Sequence, residues 1–225
     1  MTGYDRSAIF NTLLKKRYTL QKIELAIISV LFGAVPIFIC FLAGWWISIP
    51  LVPESWIFLC ALVGLLIGVL VDVLFLRRWV RNVYSMRPLV WMFVYLFYSI
   101  GMFGFFMGVP VFNVVLSLPA GAFVGAWLVH NGVDSTGMKK AARQSAAFTT
   151  SVLALVCVAS ATIALVSPST GSDLQQMLNL PFQVTPAVVI CIILGGGMSI
   201  LFLQWWLTFK CTERAYRYFG ARLSS

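Results

Sequence analysis

Long apolar runs separated by polar connections dominate the chain. Six stand out: Ala26–Ile49, Trp56–Leu76, Leu89–Gly108, Val111–His130, Ala146–Val166 and Ala187–Phe209. A bilayer core about 30 Å thick needs roughly 20 apolar residues in a helix rising about 1.5 Å per residue, and each run is close to that length. A membrane barrel would instead show strands of about ten residues with alternating polarity. The pattern predicts an all-α integral membrane protein, a tightly packed bundle of six transmembrane helices. A cytoplasmic amphipathic segment (1–23) precedes the six-helix domain (24–209), and a basic cytoplasmic tail (210–225) follows it. The first run is too long for the apolar region of a cleavable signal, which spans about 7–15 residues. It is expected to remain as a span.

The connections alternate in charge. Arg6, Lys15, Lys16, Arg17 and Lys22 precede the first run, and Arg77, Arg78, Arg81 and Arg87 follow the second. Lys139, Lys140 and Arg143 follow the fourth, and Lys210, Arg214, Arg217 and Arg222 follow the sixth. These are all 16 Lys and Arg residues of the chain, and the remaining three connections carry only Glu54 and Asp173. Basic residues accumulate on the cytoplasmic side of membrane proteins, so the pattern predicts both termini in the cytoplasm. It fits a bacterial or archaeal plasma membrane. The net charge of +9 is thereby explained as a topology signal, and no nucleic-acid partner is expected.

Composition agrees: 60% of residues are hydrophobic and only 10% charged, against about 25% charged in soluble domains. Trp45, Trp46 and Trp56 fall near the outer boundary, and Trp79, Trp91, Trp205 and Trp206 near the inner one, as in the aromatic belts of bilayer proteins. Ile9, Phe10, Leu13 and Leu14 share one helical face ahead of Lys15–Arg17, a spacing suited to an anionic membrane surface. Phe209, Tyr216 and Phe219, interspersed with basic residues, read as the sixth span continuing into the headgroups. In the outer loop, Asp173 is expected to cap a short interfacial helix. The five cysteines form no C-x-x-C pair, and four lie inside apolar runs, where cysteine packs as a small hydrophobe.

Catalytic signatures are missing. His130 is the single histidine, and there is no H-E-x-x-H, Walker A or G-x-S-x-G pattern. Neither enzymatic activity nor a cofactor or metal is expected. The candidates for pathway or binding chemistry are polar or irregular positions at membrane depth. Asp72 lies inside the second run, where an ionisable group is costly and faces protein or water; it would coordinate an ion or proton, or pair with Arg77, Arg78 or an arginine of a neighbouring helix. His130 and Asn131 would form a cytoplasmic polar vestibule with Asp72, or would simply belong to the turn and helix cap that Gly132, Asp134 and Ser135 also suit. Asn113 follows Pro110 at a tight outer turn that either dips into the membrane or forms a plain hairpin.

Gly195, Gly196 and Gly197 fall near the middle of the sixth run. They predict either a broken helix of the kind that marks binding sites in transporters or a close helix contact. The pairs Gly64/Gly68, Gly104/Gly108 and Gly121/Gly125 predict close contacts. Together these features suggest a transporter or channel component for an ion or small solute. The alternative is a non-catalytic anchor or assembly subunit of a larger membrane complex. The expected partners are the lipid bilayer and, given so few helices per chain, a second copy or another membrane protein.

Overall fold

The computed structural model of the chain describes residues 6–106, 108–177, 179, 181 and 184–223, with side chains from Ala26 onward other than those of residues 177, 222 and 223. The expected apolar face over Ile9–Leu14 therefore lies outside the described side chains. The described residues form helices and short connections, with no strand among them. Its helices are α1 (Arg6–Ser48), α2 (Glu54–Arg81), α3 (Pro88–Phe105), α4 (Ser117–His130), α5 (Ser135–Val166), α6 (Thr170–Met177) and α7 (Pro186–Leu223). Short 3-10 segments occupy Val83–Ser85 and Pro110–Leu116. Six helical segments are long and apolar enough to cross a membrane: Ala26–Ser48, Glu54–Arg81, Pro88–Phe105, Pro110–His130, Ser135–Val166 and Pro186–Ala221. The chain forms two compact units, Met1–Arg87 and Pro88–Ser225.

The first unit is a helical hairpin held by a glycine seam. A Cβ placed on Gly44 would lie 2.6 Å from the Cys60 carbonyl oxygen, one on Gly64 would overlap the Cys40 carbonyl, and one on Gly68 would lie 2.6 Å from Ile37 Cα. As the number on α1 falls by about four, the number on α2 rises by about four, so α1 and α2 run antiparallel with their backbones in contact. Only glycine permits that approach. Here the expected Gly64/Gly68 contact is formed.

A second glycine seam joins α4 to α7 in the other unit. A Cβ on Gly121 would meet Cys211 Cβ at 2.6 Å and the Thr208 carbonyl at 2.8 Å, and one on Gly125 would meet Ala215 Cβ at 2.5 Å and the Thr212 carbonyl at 2.7 Å. Both numbers rise together, so α4 and α7 are parallel. Two apolar clusters flank this packing. Val114, Leu153 and Val156 gather Ile200, Leu201 and Leu207, while Leu128, Met138 and Ala142 gather Trp127, Val133 and Tyr216.

Two boundaries differ from the sequence reading, and the extension of the sixth span that it expects is formed. The fourth span is not one α-helix: Pro110–Leu116 winds as 3-10 and only Ser117–His130 as α. Seven residues at about 2 Å and fourteen at about 1.5 Å still cross the roughly 30 Å core. The last helix runs unbroken from Pro186 to Leu223, so the basic tail is its continuation. Beyond the apolar part, Glu213 is stapled between Lys210 at 3.3 Å and Arg217 at 2.6 Å, each spaced pair contributing about 0.2–0.5 kcal/mol on a helix. In the connection between α5 and α7, α6 begins before Asp173, which lies in its first turn and accepts a hydrogen bond from the Ser169 hydroxyl at 2.8 Å. An acidic group there complements the positive end of the helix dipole.

Candidate functional site

Residues four apart lie above one another on a helix. Gln204, Thr208 and Thr212 therefore form one stripe on α7, and all three are 0% exposed. An apolar surrounding makes each such group costly unless it is hydrogen-bonded, and neighbouring helices supply partners. The Gln204 amide nitrogen donates to the Tyr95 hydroxyl of α3 at 2.9 Å. The Thr208 and Thr149 hydroxyls are 3.0 Å apart. Since Thr149 directs its hydrogen to the Ala146 carbonyl, Thr208 is the donor of the pair. The Thr212 hydroxyl donates back to the Thr208 carbonyl at 2.9 Å.

The stripe extends into the irregular fourth span. Asn113, in the 3-10 segment, is buried, and its amide nitrogen donates to both the hydroxyl and the carbonyl of Ser99, at 2.8 and 3.0 Å. Ser117 is buried at the first position of α4. Within this segment Asn113 and Val114 are buried while Val111, Phe112 and Val115 are exposed. Irregular backbone at membrane depth is stable only in protein or beside water, and here the surrounding unit supplies that setting. Within this polar column the Asn113 Oδ1, Ser117 Oγ and Gln204 Oε1 atoms are buried and without a hydrogen-bond partner among the described residues.

Asp72 lies in the first unit, one helical turn beyond Gly68 on the α1–α2 seam. Its Oδ2 would be 3.1 Å from a Cβ on Gly33, so a residue without a side chain makes room for the carboxyl group. Its Oδ1 is buried without a hydrogen-bond partner among the described residues. Among those residues no ion pair joins it to Arg77 or Arg78, which are exposed. The helix explains this: five and six residues on, at about 3.6 per turn, they point about 140° and 120° away from Asp72.

His130 and Asn131 end α4. The His130 Nδ1 lies 2.9 Å from the Ala126 carbonyl and therefore donates to it, and the Asn131 amide donates to the Trp127 carbonyl at 2.8 Å. Both add a side-chain hydrogen bond to carbonyls of the last turn, the Trp127 carbonyl also accepting from the Asn131 backbone amide. Gly132 follows with φ +64, a left-handed conformation that glycine adopts freely. Asp134 then caps α5, accepting from the Gly137 amide at 2.9 Å. The Tyr216 hydroxyl donates to the Val133 carbonyl at 2.6 Å and ties the turn to α7. The turn-and-cap reading of this cluster is the one its geometry matches.

The glycine triplet is corrected outright. The helix passes through Gly195–Gly197 without a break, and a Cβ on any of the three meets nothing within 4 Å among the described residues. Gly195 and Gly196 are exposed. Among the described residues neither a broken helix nor a close contact exists there, because the α4 glycines meet α7 further along, between Thr208 and Tyr216. Gly104 likewise meets nothing within 4 Å, and Gly108, with φ +82, serves the turn after α3. The polar column was missed from sequence, although the spacing of Gln204, Thr208 and Thr212 was a usable signal. Set against known protein families, curated proteins and solved structures, the chain matches none.

Proposed function

We propose that the protein is a transporter or channel component for an ion or small solute, embedded in a membrane with both termini cytoplasmic. The observation that carries this reading is the buried polar column of the second unit, from Asn113 and Ser117 to Gln204, Thr208 and Thr212. Apolar side chains would stabilise a purely structural bundle without the cost of burying amides. Irregular backbone beside such groups is also how membrane transporters build polar sites at depth. Asp72 adds a buried carboxyl group in the first unit.

Flux through liposomes carrying the full chain tests the proposal, with rubidium-86 uptake as the ion probe and glycerol-driven swelling as the solute probe. Flux of at least one probe should exceed that of protein-free liposomes and fall toward that baseline in Gln204→Leu. Equal flux with and without protein overturns the reading. A second reading, an assembly subunit, is favoured by one specific feature, the open glycine face of α7. It predicts a stoichiometric membrane partner on purification in mild detergent.

A further inference from the structure

We propose that the second unit binds a buried water molecule held jointly by Asn113, Ser117 and Gln204. The site rests on the three partnerless atoms and stands whether or not the protein transports anything. Helix α3 sets the spacing. Tyr95 and Ser99 are four residues apart, so they lie on one face about 6 Å apart along the axis. The Gln204 amide nitrogen is fastened to Tyr95 and the Asn113 amide nitrogen to Ser99, which anchors the two amides at neighbouring levels of α3. One water molecule, donating two hydrogen bonds of about 2.8 Å at its tetrahedral angle, joins oxygens about 4.5 Å apart, and the shared site places the Asn113 and Gln204 oxygens within that reach of each other. Ser117 lies one turn before Gly121, and the parallel register of α4 and α7 brings it level with the Gln204–Thr208 stretch.

The hydrogen-bond count closes. The Asn113 nitrogen is committed to the Ser99 carbonyl, which only accepts, so its oxygen faces the site as an acceptor. Gln204 presents a second acceptor and Ser117 a hydroxyl hydrogen. A water molecule donates twice and accepts once, giving the three bonds typical of buried water. A cation would coordinate the oxygens but leave the Ser117 hydrogen without an acceptor. It would also lack a counter-charge: the acidic residues of this unit are Asp134, Asp173 and Glu213, the first capping α5, the second in α6, the third paired with Lys210 and Arg217.

Solid-state NMR of the full chain in liposomes, with asparagine and glutamine side chains labelled with nitrogen-15, tests this directly, the probe being water itself. Magnetisation from water should reach the Asn113 and Gln204 amides at mixing times when the Leu153 methyl groups remain silent. Asn113→Leu should abolish or sharply reduce transfer to Gln204, because the two share one molecule. No transfer to either amide in the unaltered protein overturns the proposal, and that result needs no variant to fold. Persistence of the Gln204 signal in Asn113→Leu overturns the shared site. A shift of both amides on exchanging sodium for N-methylglucamine assigns the site to a cation and also overturns it.

Discussion

Thr208 illustrates how single side chains work in this interior. Its hydroxyl donates to Thr149 at 3.0 Å with both residues buried, while Thr149 keeps a second partner on its own helix. Replacing either residue by valine preserves the shape and removes one hydroxyl. Interhelical hydrogen bonds in membranes contribute about 0.6 kcal/mol on average, because the unfolded chain in the bilayer also finds partners. A double-mutant cycle of Thr149→Val and Thr208→Val, read by unfolding in detergent, should give a coupling of about that size. Full additivity of the two substitutions would mean that the pair contributes nothing. The spacing from Gln204 to Thr212 was legible in the sequence, but the identity of the partners was not. Nothing local relates Tyr95 to Gln204 or Ser99 to Asn113.

At the scale of elements, glycine has opposite meanings in different helices. Gly64 permits two backbones to touch, and a methyl group there would overlap the Cys40 carbonyl. Gly196 faces open space on an unbroken helix. Gly64→Ala should therefore destabilise the protein by about 1–3 kcal/mol through overpacking. Gly196→Ala should be neutral or stabilising by up to about 1 kcal/mol, the propensity difference between the two residues in a helix. Thermal unfolding of both variants checks the contrast, and a large loss in Gly196→Ala would show that its face is covered in the working protein. Sequence marked both sites equally, since a glycine pair or triplet looks the same whether its face meets another helix or not.

The whole molecule is governed by the distribution of charge. Every Lys and Arg falls on alternate connections, so the proposed orientation makes a direct prediction. In a background with all five cysteines replaced by alanine, Asp173→Cys should react with an impermeant maleimide added outside sealed right-side-out vesicles. Labelling of position 173 only after lysis would invert the topology. The surface is consistent with immersion in lipid: Leu51, Val73, Phe105, Val166 and Phe202 are each more than two-thirds exposed, far beyond what isolated surface hydrophobes need explain.

Sequence alone determined the properties that depend on sums along the chain: helical class, six apolar spans and the segregation of basic residues. A bilayer imposes these locally, since each span must be long enough, apolar enough and self-satisfied in its backbone hydrogen bonds. Even the cap at Asp134 follows from nearby residues. Tertiary structure decided everything that depends on which face of a helix meets which neighbour. It turned Gly121 and Gly125 inward and Gly195 and Gly196 outward, pointed Asp72 toward Gly33 and away from Arg77, and wound Pro110–Leu116 as a 3-10 segment with Asn113 inside. Rotation of an apolar helix about its axis barely changes its hydropathy, so the sequence pattern leaves that angle free. Packing of small residues and pairing of buried polar groups fix it.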